Sequence, residues 1–171
     1  MAVILEIDES NGATETVTPN VAALFAGSVD AQSFDPTGNP ITPGESSYEK
    51  WIRIHVTDLG GGAAVTAFKV WAEAPPTHTS LHSNGHTVQA TYDAANHKQT
   101  SYAAPSTATT RTPEPMPTSE PASANLGIGG SLTGSLTAPG RSDYQLIQVR
   151  TTVSATAGAT LTISFGYEAI A

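Results

Sequence analysis

Tyr48-Glu-Lys-Trp-Ile-Arg-Ile-His-Val56 is the stretch whose reading decides the fold class. Its residues alternate with a period of two. Ile52, Ile54 and Val56 fall on one face of a strand, and Trp51, Arg53 and His55 on the other. Gly60-Gly-Gly62 breaks the run. Val65-Thr-Ala-Phe-Lys-Val-Trp71 resumes the alternation in a phase set by Phe68 and Val70. Two such strands around a glycine run are expected to pair as an antiparallel hairpin with a long tip. A phosphate cradle at Gly60–Gly62 would need a following helix N-terminus and, as a rule, a lysine in the motif. Neither is present, so the glycines read as a plain turn.

Upstream, Val3-Ile-Leu-Glu-Ile7 is a short β-rich run with Val3, Leu5 and Ile7 on one side, stopped by the turn signal Ser10-Asn-Gly12. Val21–Ala26 reads as one or two helical turns or as a strand, and the alternation that follows to Phe34 favours strand. Residues 35–44 hold three prolines and two glycines and are expected to be loop, since proline lacks a ladder donor. Downstream, residues 75 to 120 are polar and loop-rich, with an expected strand at His86–Tyr92. Pro113, Pro115, Pro117 and Pro121 mark an extended connection, preferred to a proline-rich docking ligand.

The last fifty residues are the most regular. Asp143–Val153 is a long strand candidate with Ile147, Val149 and Val153 in one phase. Leu161, Ile163, Phe165 and Tyr167 alternate with small polar residues. These two segments are expected to form a hairpin, with Leu161, Ile163 and Phe165 pointing inward. Seven or eight strands without a long helix indicate an all-β protein, an antiparallel β-sandwich or jelly-roll-like single domain with long loops. Residues 1–47 are expected to be an N-terminal strand and loop segment able to act as an arm. Residues 48–171 are expected to form the sandwich core, with a polar insertion at about 75–121.

Composition agrees. The 171 residues suit one domain and bury a core without staples. Seven Lys and Arg against fifteen Asp and Glu give a net charge of −8. So few cations exclude sequence-independent nucleic-acid binding and attraction to an anionic membrane. The absence of cysteine removes disulfides, thiol nucleophiles and thiolate metal sites. The start lacks a basic leader, and its apolar run is cut by Glu6 and Asp8. No stretch approaches the 18 or so apolar residues of a membrane span. A protein made in a cytoplasm, with no membrane partner, is expected.

Signals for chemistry are sparse. No Gly-x-Ser-x-Gly elbow occurs, and Gly127-Ile-Gly-Gly-Ser131 has the wrong spacing for one. Asp8, Asp30, Asp35, Asp58, Asp93, Glu114 and Glu120 are expected at turns as solvated charges, in preference to a catalytic carboxylate pair. His78, His82 and His86 recur every fourth residue and would line one face of a helix as metal ligands. Pro75-Pro76, Ser80, Ser83, Asn84 and Gly85 argue for a loop instead. No metal and no other cofactor is therefore expected, these histidines being the candidates if copies meet at a symmetry axis. Tyr48, Trp51 and Trp71 are either a sugar-stacking platform or packing and interface residues, and the second reading is preferred.

Tyr48-Glu-Lys-Trp-Ile-Arg53, Phe68-Lys-Val-Trp71, Ala124-Asn-Leu-Gly-Ile-Gly-Gly-Ser-Leu-Thr-Gly-Ser-Leu-Thr137 and Ser142-Asp-Tyr144 together resemble a set of tailed-bacteriophage virion proteins. The resemblance spans about Tyr48 to Tyr167. It departs from the pattern between Ala72 and Pro113 and leaves the N-terminal forty residues uncovered. It implies a non-enzymatic virion structural protein, and among these a capsid decoration (cement) protein on the outer surface of the head. The implied partners are the major capsid protein and further copies of this chain, as dimer or trimer. Two alternatives stand beside it: a head-fibre, collar, tail or baseplate component, and a carbohydrate-binding module or hydrolase.

Overall fold

The structure, a computed structural model, describes residues 2–35, 37–45, 47–73, 80–84, 92, 114–115, 117–151 and 162–171, with backbone alone at 80–84, 114, 115, 148 and 150. These residues form ten strands and no helix, so none is long and apolar enough to cross a membrane. The protein is all-β, as the alternation requires.

In the large sheet, β1 (Ile4–Asn11) lies between β2 (Thr16–Thr18) and β3 (Lys50–Asp58). Beyond β3 come β9 (Gln145–Arg150), β5 (Ser80–Asn84) and β6 (Glu114–Pro115), while β8 (Gly140–Arg141) continues beside β3. The small sheet orders β10 (Thr162–Ile170), β4 (Ala64–Glu73) and β7 (Ser135–Leu136). All pairings are antiparallel.

One apolar core lies between the sheets. Ile52, Ile54 and Val56 of β3, Val65, Phe68, Val70 and Ala72 of β4, Leu126 and Ile147 are buried in it, and Leu5, Ile7, Ile163 and Phe165 pack against them. Phe165 and Ile163 face inward as expected but are only partly buried. Leu161 lies outside the described residues.

Both expected hairpins are corrected. β3 and β4 do not pair: they belong to different sheets, and the glycine run is the corner between them. Gly60 and Gly61 take φ of 66° and 87°, a region L side chains avoid. The Asp58 carboxylate accepts from the Gly60 N–H at 2.8 Å, and Gly62 sits so close to the Ile170 carbonyl that a Cβ would come within 2.9 Å of it. Likewise β9 pairs with β3 and β5, whereas β10 pairs with β4. Alternation specifies which face a strand buries. It leaves open which edge it joins.

Two further expectations change. Residues 1–47 are no separable arm, because β1 is paired with β3 from Ile4 to Ser10 inside the large sheet. The segment 21–34 is loop, not strand. Phe25 and Phe34 meet edge-on with ring centroids 6.1 Å apart, and Gly27 lies against the Phe34 ring, so the segment packs as a folded loop. The strand expected at His86–Tyr92 lies, apart from Tyr92, outside the described residues.

A bulge sets the inward face of β4. Gly166 is opposite Lys69 and Glu168 opposite Thr66, so Ala67 and Phe68 together oppose Tyr167. Ala67 absorbs the extra residue at φ 53°. Val65 and Phe68, three apart, can then both face the core.

The clasp between the sheets comes from residues 117–144. Ile128 and Ser131 exchange backbone hydrogen bonds of 2.9 and 3.1 Å around Gly129-Gly130, whose φ values of 58° and 80° suit a type I′ turn. The next segment runs along β3, where the Ser142 hydroxyl accepts from the Ile54 N–H at 2.9 Å. A side chain thus replaces a ladder carbonyl where β8 gives way to β9.

Candidate functional site

The face of the large sheet turned away from the core carries the polar and aromatic residues. The β1–β3 register places Glu6 opposite His55, Asp8 opposite Arg53 and Ser10 opposite Trp51. β8 adds Arg141 opposite His55, and β9 adds Leu146 opposite Trp51. One end of this face is aromatic and the other charged.

At the aromatic end Trp51, Tyr144 and Leu146 are buried as a second small core. Trp51 meets Tyr92 and Tyr144 edge-on at centroid distances of 5.1 and 5.5 Å. The Tyr92 hydroxyl donates to the Gly12 carbonyl at 2.9 Å. Arg53 lies over the Tyr144 ring, its guanidinium carbon 4.5 Å from the centroid. Glu15, in the turn between β1 and β2, gathers the polar edge of this group. Its Oε1 accepts from the Ser10 hydroxyl at 2.7 Å and from the Tyr144 hydroxyl, with Arg53 Nη2 at 3.9 Å. Burial, and then the bond to Glu15, push the Tyr144 phenol up to about 12, against the opposing pull of Ser10 and the Arg53 charge.

At the charged end the Asp8 carboxylate is fully buried. Arg141 Nε lies 2.6 Å from its Oδ2 and His55 Nδ1 lies 3.4 Å from it. Glu6 Oε2 is 3.9 Å from the same His55 nitrogen. Among the described residues, Glu6, Asp8 and His55 form a group able to hold a metal ion, with one ligand atom from each within 4.8 Å of the others. Asp8, expected at a solvated turn, is therefore an interior strand residue with a cationic neighbour. Asp30, Asp35 and Asp58 do serve turns, accepting from the backbone N–H of Gly12, Thr37 and Gly60.

On the opposite, core-side face of β1 and β3, Glu9 and Lys50 form a buried ion pair at 3.0 Å, and Lys50 also donates to the Ala31 carbonyl at 2.6 Å. This pair fastens the 21–47 loop to the sheet.

The residues singled out from the sequence are dispersed. Trp51 is fully buried beneath Tyr92, Tyr48 stands half-buried beside β3, and Trp71 lies half-buried on the small sheet against Gly166. Tyr48, Trp51 and Trp71 do not share a surface platform. His78 and His86 lie outside the described residues. His82 is placed by its backbone on β5, opposite Pro115 and Gln148. The group that does assemble, Glu6, Asp8, His55 and Arg141, escaped the sequence reading because its members come from three strands. The available signals were the i, i+2 carboxylates of β1 and the outward phase of His55. Comparison with models of protein families, with characterised proteins and with solved structures finds no match to this chain.

Proposed function

We propose that this chain is a non-enzymatic structural protein of a tailed-bacteriophage virion. In this reading it is a capsid decoration protein that binds the outer surface of the head, contacts the major capsid protein and stabilises the shell. The starting point is the resemblance carried by Tyr48–Arg53, Phe68–Trp71, Ala124–Thr137 and Ser142–Tyr144. Much of that sequence builds the scaffold: Phe68 and Leu126 sit in the core, Gly129-Gly130 make the turn, and Ser142 completes the β3 ladder. A chain related to virion proteins through its scaffold residues would share their architecture and vary its contact surfaces.

The observation that carries the docking part is β10. Among the described residues it pairs with β4 alone, along nine residues. Tyr167 and Ile170 are exposed on it, and Glu168 is its single charged residue. A long, weakly charged edge of this kind is normally covered or blunted, and it offers backbone pairing to a strand of a partner. Many such modest contacts on a lattice reinforce one another, and binding only the assembled shell stabilises it by linkage.

The test compares heat release of DNA from particles with and without the protein, together with a mass-spectrometric copy count per particle. Decoration is expected to give hundreds of copies, release at higher temperature, and shell binding that changes little with salt. Superimposed release curves with labelling confined to the tail would overturn it in favour of a tail, collar or baseplate component.

A further inference from the structure

We propose that Glu6, Asp8 and His55 form a binding site for a divalent transition-metal cation of the zinc or manganese type, and that Arg141 is the protein's own cation, displaced when the metal binds. The site is independent of the virion reading.

The geometry comes from strand register. Glu6 and Asp8 are two apart on β1 and share a face, and His55 lies opposite Glu6 on β3. A tetrahedral ion with bonds of about 2.0–2.1 Å holds its ligand atoms about 3.3 Å from one another. His55 Nδ1 is already 3.4 Å from Asp8 Oδ2 and 3.9 Å from Glu6 Oε2. All three ligand atoms lie within 4.8 Å of one another, so a side-chain adjustment of up to about 1.5 Å, open to a Glu6 side chain that reaches solvent, completes the set. Two carboxylates and a neutral imidazole carry two negative charges, matched to a divalent ion. Mixed nitrogen and oxygen donors suit zinc or manganese, whereas calcium and magnesium prefer oxygen alone.

A second observation points to a ligand. Asp8 is fully buried, yet its Oδ1 has no hydrogen-bond partner. A buried carboxylate oxygen left without a partner is unfavourable, and a metal ion that takes this carboxylate through both oxygens offers Oδ1 a partner as well as Oδ2. Arg141 meets only part of the demand. Its Nε bonds Oδ2 at 2.6 Å and its Nη2 stands 3.5 Å from His55 Nδ1, so the guanidinium occupies the neighbourhood a metal would take. Its side chain is 39% exposed, which leaves it a path into solvent. The side chains of Glu6 and His55 also reach the surface, so an ion can enter without the fold opening. Arg53, the other nearby cation, is turned toward Tyr144 and Glu15. Three protein donors leave one position for water.

Calorimetric titration of zinc chloride and of manganese chloride into the metal-free full chain tests this, with calcium chloride as control. One zinc or manganese ion per chain is expected, with calcium weaker by more than tenfold. His55→Ala and Glu6→Gln are each expected to weaken binding more than tenfold while retaining a cooperative melt, since both side chains are partly exposed. Arg141→Met, which removes the competing cation, is expected to tighten binding several-fold, and the metal should raise the melting temperature of the wild type but not of His55→Ala. Absence of stoichiometric binding overturns the proposal, and so does binding that survives His55→Ala unchanged, which would place the ion elsewhere. Binding that is unchanged or weaker in Arg141→Met overturns the displacement.

Discussion

Asn125 serves Val70 as if it were a residue of a neighbouring strand. Its Oδ1 accepts from the Val70 N–H and its Nδ2 donates to the Val70 carbonyl, both at 2.8 Å. The backbone N–H groups of Asn125 and Leu126 meanwhile donate to the Phe68 carbonyl at 3.2 Å. One carboxamide thereby satisfies both ladder groups of a fully buried residue where β7 no longer reaches. Asn125→Ala leaves a buried donor and acceptor without partners and is expected to destabilise the fold by about 2–4 kcal/mol. Asn125→Asp, which keeps the acceptor and loses the donor, should also lower the denaturation midpoint. A midpoint unchanged in the alanine variant contradicts the role.

The Glu9–Lys50 pair predicts a strongly asymmetric mutational response. Both side chains are almost wholly buried, and Lys50 also holds the 21–47 loop through the Ala31 carbonyl. Lys50→Met strands a buried carboxylate and is expected to be destabilising by about 3–5 kcal/mol. Adding Glu9→Gln removes the stranded charge, so the double variant should be more stable than Lys50→Met alone. Denaturant unfolding of the four proteins of the cycle measures the coupling.

Ala67 holds a positive φ in the middle of β4 because the bulge there requires it. An L side chain in that region is unfavourable by roughly 1–2 kcal/mol, partly offset for glycine by its greater unfolded-state entropy. Ala67→Gly is therefore expected to be neutral or to stabilise by up to about 1 kcal/mol. Ala67→Val should destabilise, since branching at Cβ worsens the same clash. Thermal melts of the two variants should shift in opposite directions, or only the valine variant should shift.

Tyr144 makes the fold sensitive to alkali. Its phenol titrates at about 12 in the folded protein against an ordinary 10.0, so the folded state favours the neutral form. That contribution to stability is present in full below pH 10 and is lost as pH rises through 12. Spectrophotometric titration should show a late-ionising phenol, and Tyr144→Phe should remove that step. Glu15→Gln should lower the phenol toward its ordinary value without restoring it, because burial, the larger cause, remains.

Read alone, the sequence established strands over Tyr48–Val56, Val65–Trp71 and 161–167, the common face of Ile52, Ile54 and Val56, the phase set by Phe68 and Val70, and a break at Gly60–Gly62, and the structure has strands there at Lys50–Asp58, Ala64–Glu73 and Thr162–Ile170. These properties are local: alternation, β-branching and the steric freedom of glycine act within a few residues of the chain. That β3 joins β1 and β9 while β4 joins β10 is set by long-range pairing, because every strand offers the same backbone donors and acceptors along its edges. The bulge at Ala67, the Asn125 clasp and the burial of Asp8 are likewise products of long-range pairing. Glu6, Asp8, His55 and Arg141 meet for the same reason. Residues separated by as many as 133 positions in the chain become neighbours once the β1–β3–β8 register is set, and no local pattern records that distance.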